Sequence, residues 1–143
     1  MVVRVADGDT IEIISTDPSA QKLTNKTIKV RLFGIDAPEI GQTFGKSAHK
    51  YAKKLLLGKE VTLNVKDTDQ YGRLVAIVTL PNGLTAQEEL LKNGFVWWYN
   101  HYAPHEHKFA DAQIKAQREN KGLWAKQKKP IPPWQWRLNN NGV

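Results

Sequence analysis

"RLFGIDAPE", residues 31–39, begins with the alternation of a strand and ends in a turn with Asp36 and Glu39 on either side of Pro38. Upstream, "TIKVRLFGI" places Ile28, Val30 and Leu32 on one face and Lys29, Arg31 and Phe33 on the other, the period-2 pattern of a half-buried strand. Arg31 therefore points away from the main apolar face, close to two carboxylates. The chain around it is basic, with 21 Lys+Arg against 14 Asp+Glu and a formal net charge of +7. Acids gathered in one tight turn of such a chain call for a reason.

Working outward, "VVRVADGDTIEIIS" reads as two strands about a DG turn. Residues 16–26 read as a polar loop with turn chemistry. Past "DAPEIGQ" the period changes. Phe44, Ala48, Tyr51, Ala52 and Leu55 recur at helical spacing, with Gly58 as the stop. "EVTLNV" and "LVAIVTL" are strands joined by "KDTDQYGR". Thr85 with Glu88 forms a capping box for a short helix to Lys92, ended by Gly94. "FVWW" is strand-like, with Trp97 and Trp98 as core or cover. Pro104 marks the first turn of a last helix running to about Lys121. The prolines of "KKPIPPWQWR" predict an extended segment held by its tryptophans.

At 143 residues the chain is expected to form one domain, residues 1–137, with 138–143 as a frayed tail. A chain of this size buries roughly 70% of its unfolded surface and needs no staples. Hydrophobic residues make up 41%, and no apolar run approaches a membrane span, so no membrane partner is expected. The absence of cysteine excludes disulfides and thiolate metal sites. No basic segment followed by an apolar run opens the chain. The abrupt start predicts a leader removed and Met1 added, in which case the protein is secreted or periplasmic. A positive balance favours polyanionic partners, nucleic acid first. The element order (three strands, a helix, two strands, then helices) predicts an α+β fold, a five-stranded OB-type barrel with about three α-helices.

The acids near the strand turns are Asp7, Asp9, Asp36 and Glu39. If the second and third strands are neighbours, Asp9 and Asp36 converge. Clustered carboxylates repel unless a cation joins them, and hard oxygens suit Ca²⁺ or Mg²⁺. The alternative is that each Asp caps its own turn.

"DGDT", "RLFGIDAPE" and "DQYGR" in this order resemble the staphylococcal nuclease family, over about Val3 to Trp124, and "PIPPWQWR" resembles the tail of its bacterial members. The resemblance implies a Ca²⁺-dependent phosphodiesterase acting on DNA and RNA, breaking the P–O5′ bond to leave a 3′-phosphate; a monomer is expected. It implies Asp9 and Asp36 as metal ligands, with Ala37 adding its backbone carbonyl. It implies Glu39 as general base, Arg31 and Arg73 as the pair that grips phosphate, and Tyr71 at the nucleotide. Ala37 stands where the family pattern has threonine, and Gln70 where it has lysine. Tyr99, Asn100 and Tyr102 compete for the place of a base-stacking tyrosine.

The chemistry of these residue types agrees. Two guanidiniums and a divalent ion stabilise negative charge on phosphoryl oxygens, and the planar fork of Arg holds two oxygens at once. The rival class is a non-catalytic nucleic-acid-binding module on the same barrel. It is disfavoured because Asp9, Arg31, Asp36, Glu39 and Arg73 are all present. "HEH" at 105–107, with His101 and Asp111, reads as helix-start polar residues rather than a transition-metal site. Lys108, Lys115, Arg118, Lys121 and "KQKK" (126–129) either attract a nucleic-acid backbone or are plain surface.

Overall fold

The structure, a computed structural model, describes residues 1–15, 27–126 and 130–141. The loop expected at 16–26 and most of the basic run at 126–129 lie outside the described residues. Strands β1 (Val2–Val5), β2 (Thr10–Ile13) and β3 (Ile28–Leu32) are followed by the two-residue β4 (Ile35–Asp36) and helix α1 (Gly45–Leu56). Then come β5 (Thr62–Thr68), β6 (Leu74–Thr79), α2 (Ala86–Lys92), β7 (Trp97–Trp98), α3 (His107–Arg118), α4 (Leu123–Lys126) and α5 (Pro133–Asn141).

Five strands form one sheet in the order β1-β2-β3-β6-β5, and β4 pairs with β7 in a second, two-stranded sheet. All neighbours are antiparallel except β3 and β6, which run parallel with Arg31 opposite Val75. The fold is α+β, as expected, but the sheet is not closed as a barrel. The outer edge of β1 bonds the loop ahead of β5: Gly58 N–H donates to the Val2 carbonyl (2.9 Å) and Val2 N–H to the Lys59 carbonyl (3.0 Å). The edge of β1 is thus met by the loop ahead of β5 rather than by a ladder with β5 itself. Five helical segments are described, against the expected three, though α4 has only four residues.

Two sequence expectations about helices are corrected. The last long helix begins at His107, not at Pro104. The chain turns first, with Ala103 N–H on the Tyr99 carbonyl and Glu106 N–H on the Ala103 carbonyl. The proline-rich tail is not extended throughout: α5 starts at Pro133 and continues to Asn141. Proline at a helix's first position gives up an N–H that has no partner there, and its fixed φ suits the helix.

The core uses the predicted faces in part: Ile28 at the start of β3 is exposed, and Leu56 rather than Leu55 is the buried leucine of α1. Val30 and Leu32 of β3 and Ile11 of β2 are fully covered, and α1 lays Ala48, Ala52 and Leu56 onto it at helical spacing. Thr85 caps α2, its Oγ1 accepting from Glu88 N–H at 3.1 Å. The parallel junction carries a polar plug. Gln87, 0% exposed, donates through Nε2 to the carbonyls of Ala76 (2.9 Å) and Phe33 (3.3 Å) and accepts from Val78 N–H (3.2 Å). Leucine fills the same space but leaves buried backbone groups short of a partner, at about 1–3 kcal/mol. Gln87→Leu is therefore expected to lower the melting temperature by several degrees. A variant that melts within one degree of the parent, on the same calorimeter scan, would show that the plug is not needed.

Candidate active site

The turn after β1 and the turn after β4 are pressed together by small residues. A Cβ on Gly8 would meet the Cβ of Ala37 at 2.6 Å, so only glycine lets the 7–9 turn come this close. Asp7 holds that turn by accepting from Asp9 N–H at 3.0 Å. The result joins the two motifs: Ala37 N–H donates to Asp9 Oδ2 at 2.7 Å, and Thr10 Oγ1 donates to Asp9 Oδ1 at 3.1 Å. The β2–β3 ladder adds Arg31, which sits opposite Thr10.

Arg31 lies between the two carboxylates. Its Nη1 is 3.4 Å from Asp9 Oδ2 and its Nη2 is 3.5 Å from Asp36 Oδ1, while Nη1 also donates to the Leu32 carbonyl at 2.9 Å. Asp36 is 1% exposed. Burial pushes its carboxyl up to about 6; the Asp9 charge adds to the rise, and hydrogen bonds from Arg137 together with the Arg31 charge oppose it. For Asp9 burial pulls upward too. There the Arg31 charge and the hydrogen bonds from its neighbours prevail and hold it below the ordinary carboxylate range. Asp7 is raised to about 7 by burial and by the Asp9 charge.

The structure therefore brings Asp9, Arg31, Asp36 and Ala37 together. Glu39, on the same turn, is linked to Asp36 by Arg137, a residue that the sequence reading did not single out. Arg137 Nη2 donates to Asp36 Oδ2 at 2.6 Å, and Nη1 donates to Asp36 Oδ1 at 3.2 Å and to Glu39 Oε1 at 2.8 Å. The signal was present in the "WQWR" run, but a strap read as extended gave no reason to aim its arginine.

Arg73, just ahead of β6, has its Nε 2.6 Å from Asp69 Oδ2 and is not joined to the carboxylate cluster by any described ion pair. The β3–β6 register still puts it two residues from Val75, the partner of Arg31. Tyr71 is 76% exposed, with the Arg73 guanidinium 5.8 Å from its ring centre. Tyr99 stacks on Tyr102 (4.8 Å, 24°) and meets Trp134 edge-on (5.0 Å). Tyr99, Asn100, His101 and Trp134 line a cleft, and the ring of Tyr102 is open to solvent. Burial, then the Asp36 charge, raises the Tyr99 phenol above its ordinary range, which ties this aromatic cleft electrostatically to the acidic turn.

Among the described residues, no three His, Cys, Asp or Glu side chains form a group set to hold a metal ion. The donor chemistry at Asp9 and Asp36 nevertheless fits a hard cation. Two buried carboxylates and a backbone carbonyl at Ala37 are oxygen ligands of the kind that Ca²⁺ and Mg²⁺ take. A carboxylate as buried as Asp36 needs a positive neighbour to stay ionised, and Arg137 fills that role here.

The family model described as staphylococcal nuclease homologue matches residues 29–126. An Escherichia coli O157:H7 protein named an uncharacterized endonuclease is 35% identical over 136 residues, covering 95% of this chain and 82% of its own. A micrococcal nuclease of Shigella flexneri is 34% identical over 145 residues, covering 95% of this chain and 78% of its own. A probable staphylococcal-like nuclease of Oryza sativa subsp. japonica is 38% identical over 125 residues, covering 87% of this chain but 33% of its own.

Proposed function

This chain belongs to the staphylococcal nuclease family, and on that premise we propose that it is a Ca²⁺-dependent, sugar-non-specific endonuclease. Its substrates are the phosphodiester bonds of DNA and RNA. The observation that carries the reading is the convergence of Asp9, Arg31 and Asp36, with Glu39 on the same turn.

Asp9, Asp36 and the Ala37 carbonyl would hold the ion. When bound, Ca²⁺ supplies a Lewis acid that offsets charge building on the phosphoryl oxygens. Arg31, pinned at Leu32 and facing both acids, grips a phosphate oxygen from the protein side. Arg73 adds a second guanidinium from the far end of the parallel junction. Glu39, whose side chain is 36% exposed, accepts the proton of the attacking water. The water oxygen joins phosphorus, the P–O5′ bond breaks, the leaving 5′ oxygen takes a proton from solvent, and a 3′-phosphate and a 5′-hydroxyl result. Tyr71, Tyr99 and Tyr102 offer ring faces to the bases, which every base can use.

The test is degradation of plasmid DNA and of RNA with Ca²⁺, with Mg²⁺ and with excess chelator, followed by end analysis of the fragments. Cleavage of both substrates with Ca²⁺, abolished by chelator and leaving 3′-phosphate ends, is expected. Full activity in chelator would remove the metal from the mechanism. Binding of nucleic acid without cleavage would make the chain a binding module.

A further inference from the structure

Arg137 makes three hydrogen bonds to the two carboxylates that matter most, reaching both oxygens of Asp36 and one of Glu39. The helix that carries it is fastened to the same turn. Gln42, itself buried, donates through Nε2 to the Ile131 carbonyl at 2.7 Å. The Trp136 ring lies against Gly41, where a Cβ would be 3.7 Å from it. Gln42 in turn bonds Glu39 twice: its N–H donates to the Glu39 carbonyl (2.8 Å), and its Oε1 accepts from Glu39 N–H (3.2 Å). Strap and acidic turn are thus one hydrogen-bonded unit.

We infer that Arg137 is a built-in counter-cation of the site, and that a divalent ion and the α5 strap compete for Asp36. The inference rests on the metal reading given above. Arg137 engages both oxygens of Asp36, with Nη2 2.6 Å from Oδ2, so an ion held by this carboxylate would have to share it with the guanidinium. Both cannot be satisfied by the same oxygen at full strength, and two positive charges side by side repel. Binding of the ion therefore loosens Arg137 from Asp36. By linkage, a docked strap weakens the ion by the factor that the ion weakens docking, so removal of Arg137 is expected to tighten the ion. Asp9 does not need the strap, since Arg31, Thr10 and the Ala37 N–H already satisfy it.

The measurement is the Ca²⁺ dissociation constant by calorimetry for the parent protein, Arg137→Gln and Arg137→Lys. It is paired with amide exchange of α5 in the parent protein, with Ca²⁺ and with chelator. Arg137→Gln is expected to bind Ca²⁺ about 5-fold or more tightly, within the usual range of coupling between sites. Arg137→Lys, which keeps a charge but loses the fork, should fall between. Ca²⁺ should speed exchange in α5. If Arg137→Gln misfolds, Arg137→Lys carries the comparison. An unchanged or weaker affinity in the variants, or α5 protected equally or better with Ca²⁺, overturns the competition and leaves the metal reading standing. Failure of the parent and both variants to bind Ca²⁺ overturns the two together.

Discussion

Glu39→Gln is expected to lower kcat by about 10²-fold or more, the scale of a positioned general base. The substitution keeps shape and keeps an oxygen for Arg137 Nη1, now 2.8 Å from Glu39 Oε1, so the turn should hold. What it removes is the carboxylate proposed as proton acceptor. The affinity for a nucleotide that cannot be cleaved should change little, because the phosphate is assigned to the arginines. Arg31→Lys is the contrasting case: charge stays, the fork between Asp9 and Asp36 goes, and binding and turnover both fall. Measuring kcat beside an independent Kd separates these effects. A Glu39→Gln enzyme working at near parental rate would reduce Glu39 to a structural residue of its turn.

Gly45→Ala inverts an ordinary rule. Gly45 is the first residue of α1, where alanine normally stabilises a helix over glycine by about 1 kcal/mol. Here the added Cβ would coincide with the Glu39 carbonyl oxygen, and even the Glu39 carbonyl carbon would lie at 2.5 Å. Backbone on both sides must move, so a loss of about 3 kcal/mol is expected, the upper part of the overpacking range. That corresponds to a fall of roughly 6–12 °C in Tm for a chain near this size. Because the displaced atoms belong to Glu39, kcat should drop as well, even at temperatures where the variant is fully folded. A melt at or above the parental Tm would mean that α1 does not abut the acidic turn in this way.

The first forty residues were the easiest to read. The alternation of β2 and β3 assigns Ile11, Val30 and Leu32 to the buried face, and the antiparallel pairing that the structure shows then puts Asp9 beside Arg31. The contact between Asp9 and the Ala37 N–H follows from that register together with Gly8. α1 and α2 were legible because their caps and stripes are local. Arg137 was not. Its partners lie about 100 residues away in sequence, and nothing in a run of prolines and tryptophans says that Pro133 opens a helix rather than blocking one. The open sheet was also illegible, since closure depends on whether two edge strands meet. That question is settled by the Gly58–Lys59 loop and not by either strand's own pattern.

The parallel pairing of β3 with β6 has a consequence for the order in which the molecule assembles. β2 and β3 pair antiparallel, and the acids and Arg31 all fall within residues 7 to 39. β6 reaches β3 only after β4, α1 and β5 have been threaded between them. Contacts so far apart along the chain carry a loop-closure cost before they yield any stability, and they tend to set the folding rate. A chain caught midway thus owns its acidic turn and Arg31 but has yet to bring Arg73 alongside. The β3–β6 pairing spans 44 residues from Val30 to Leu74, so the placement of Arg73 beside the β3 motif waits on a longer loop closure than the β2–β3 hairpin that sets Asp9 beside Arg31.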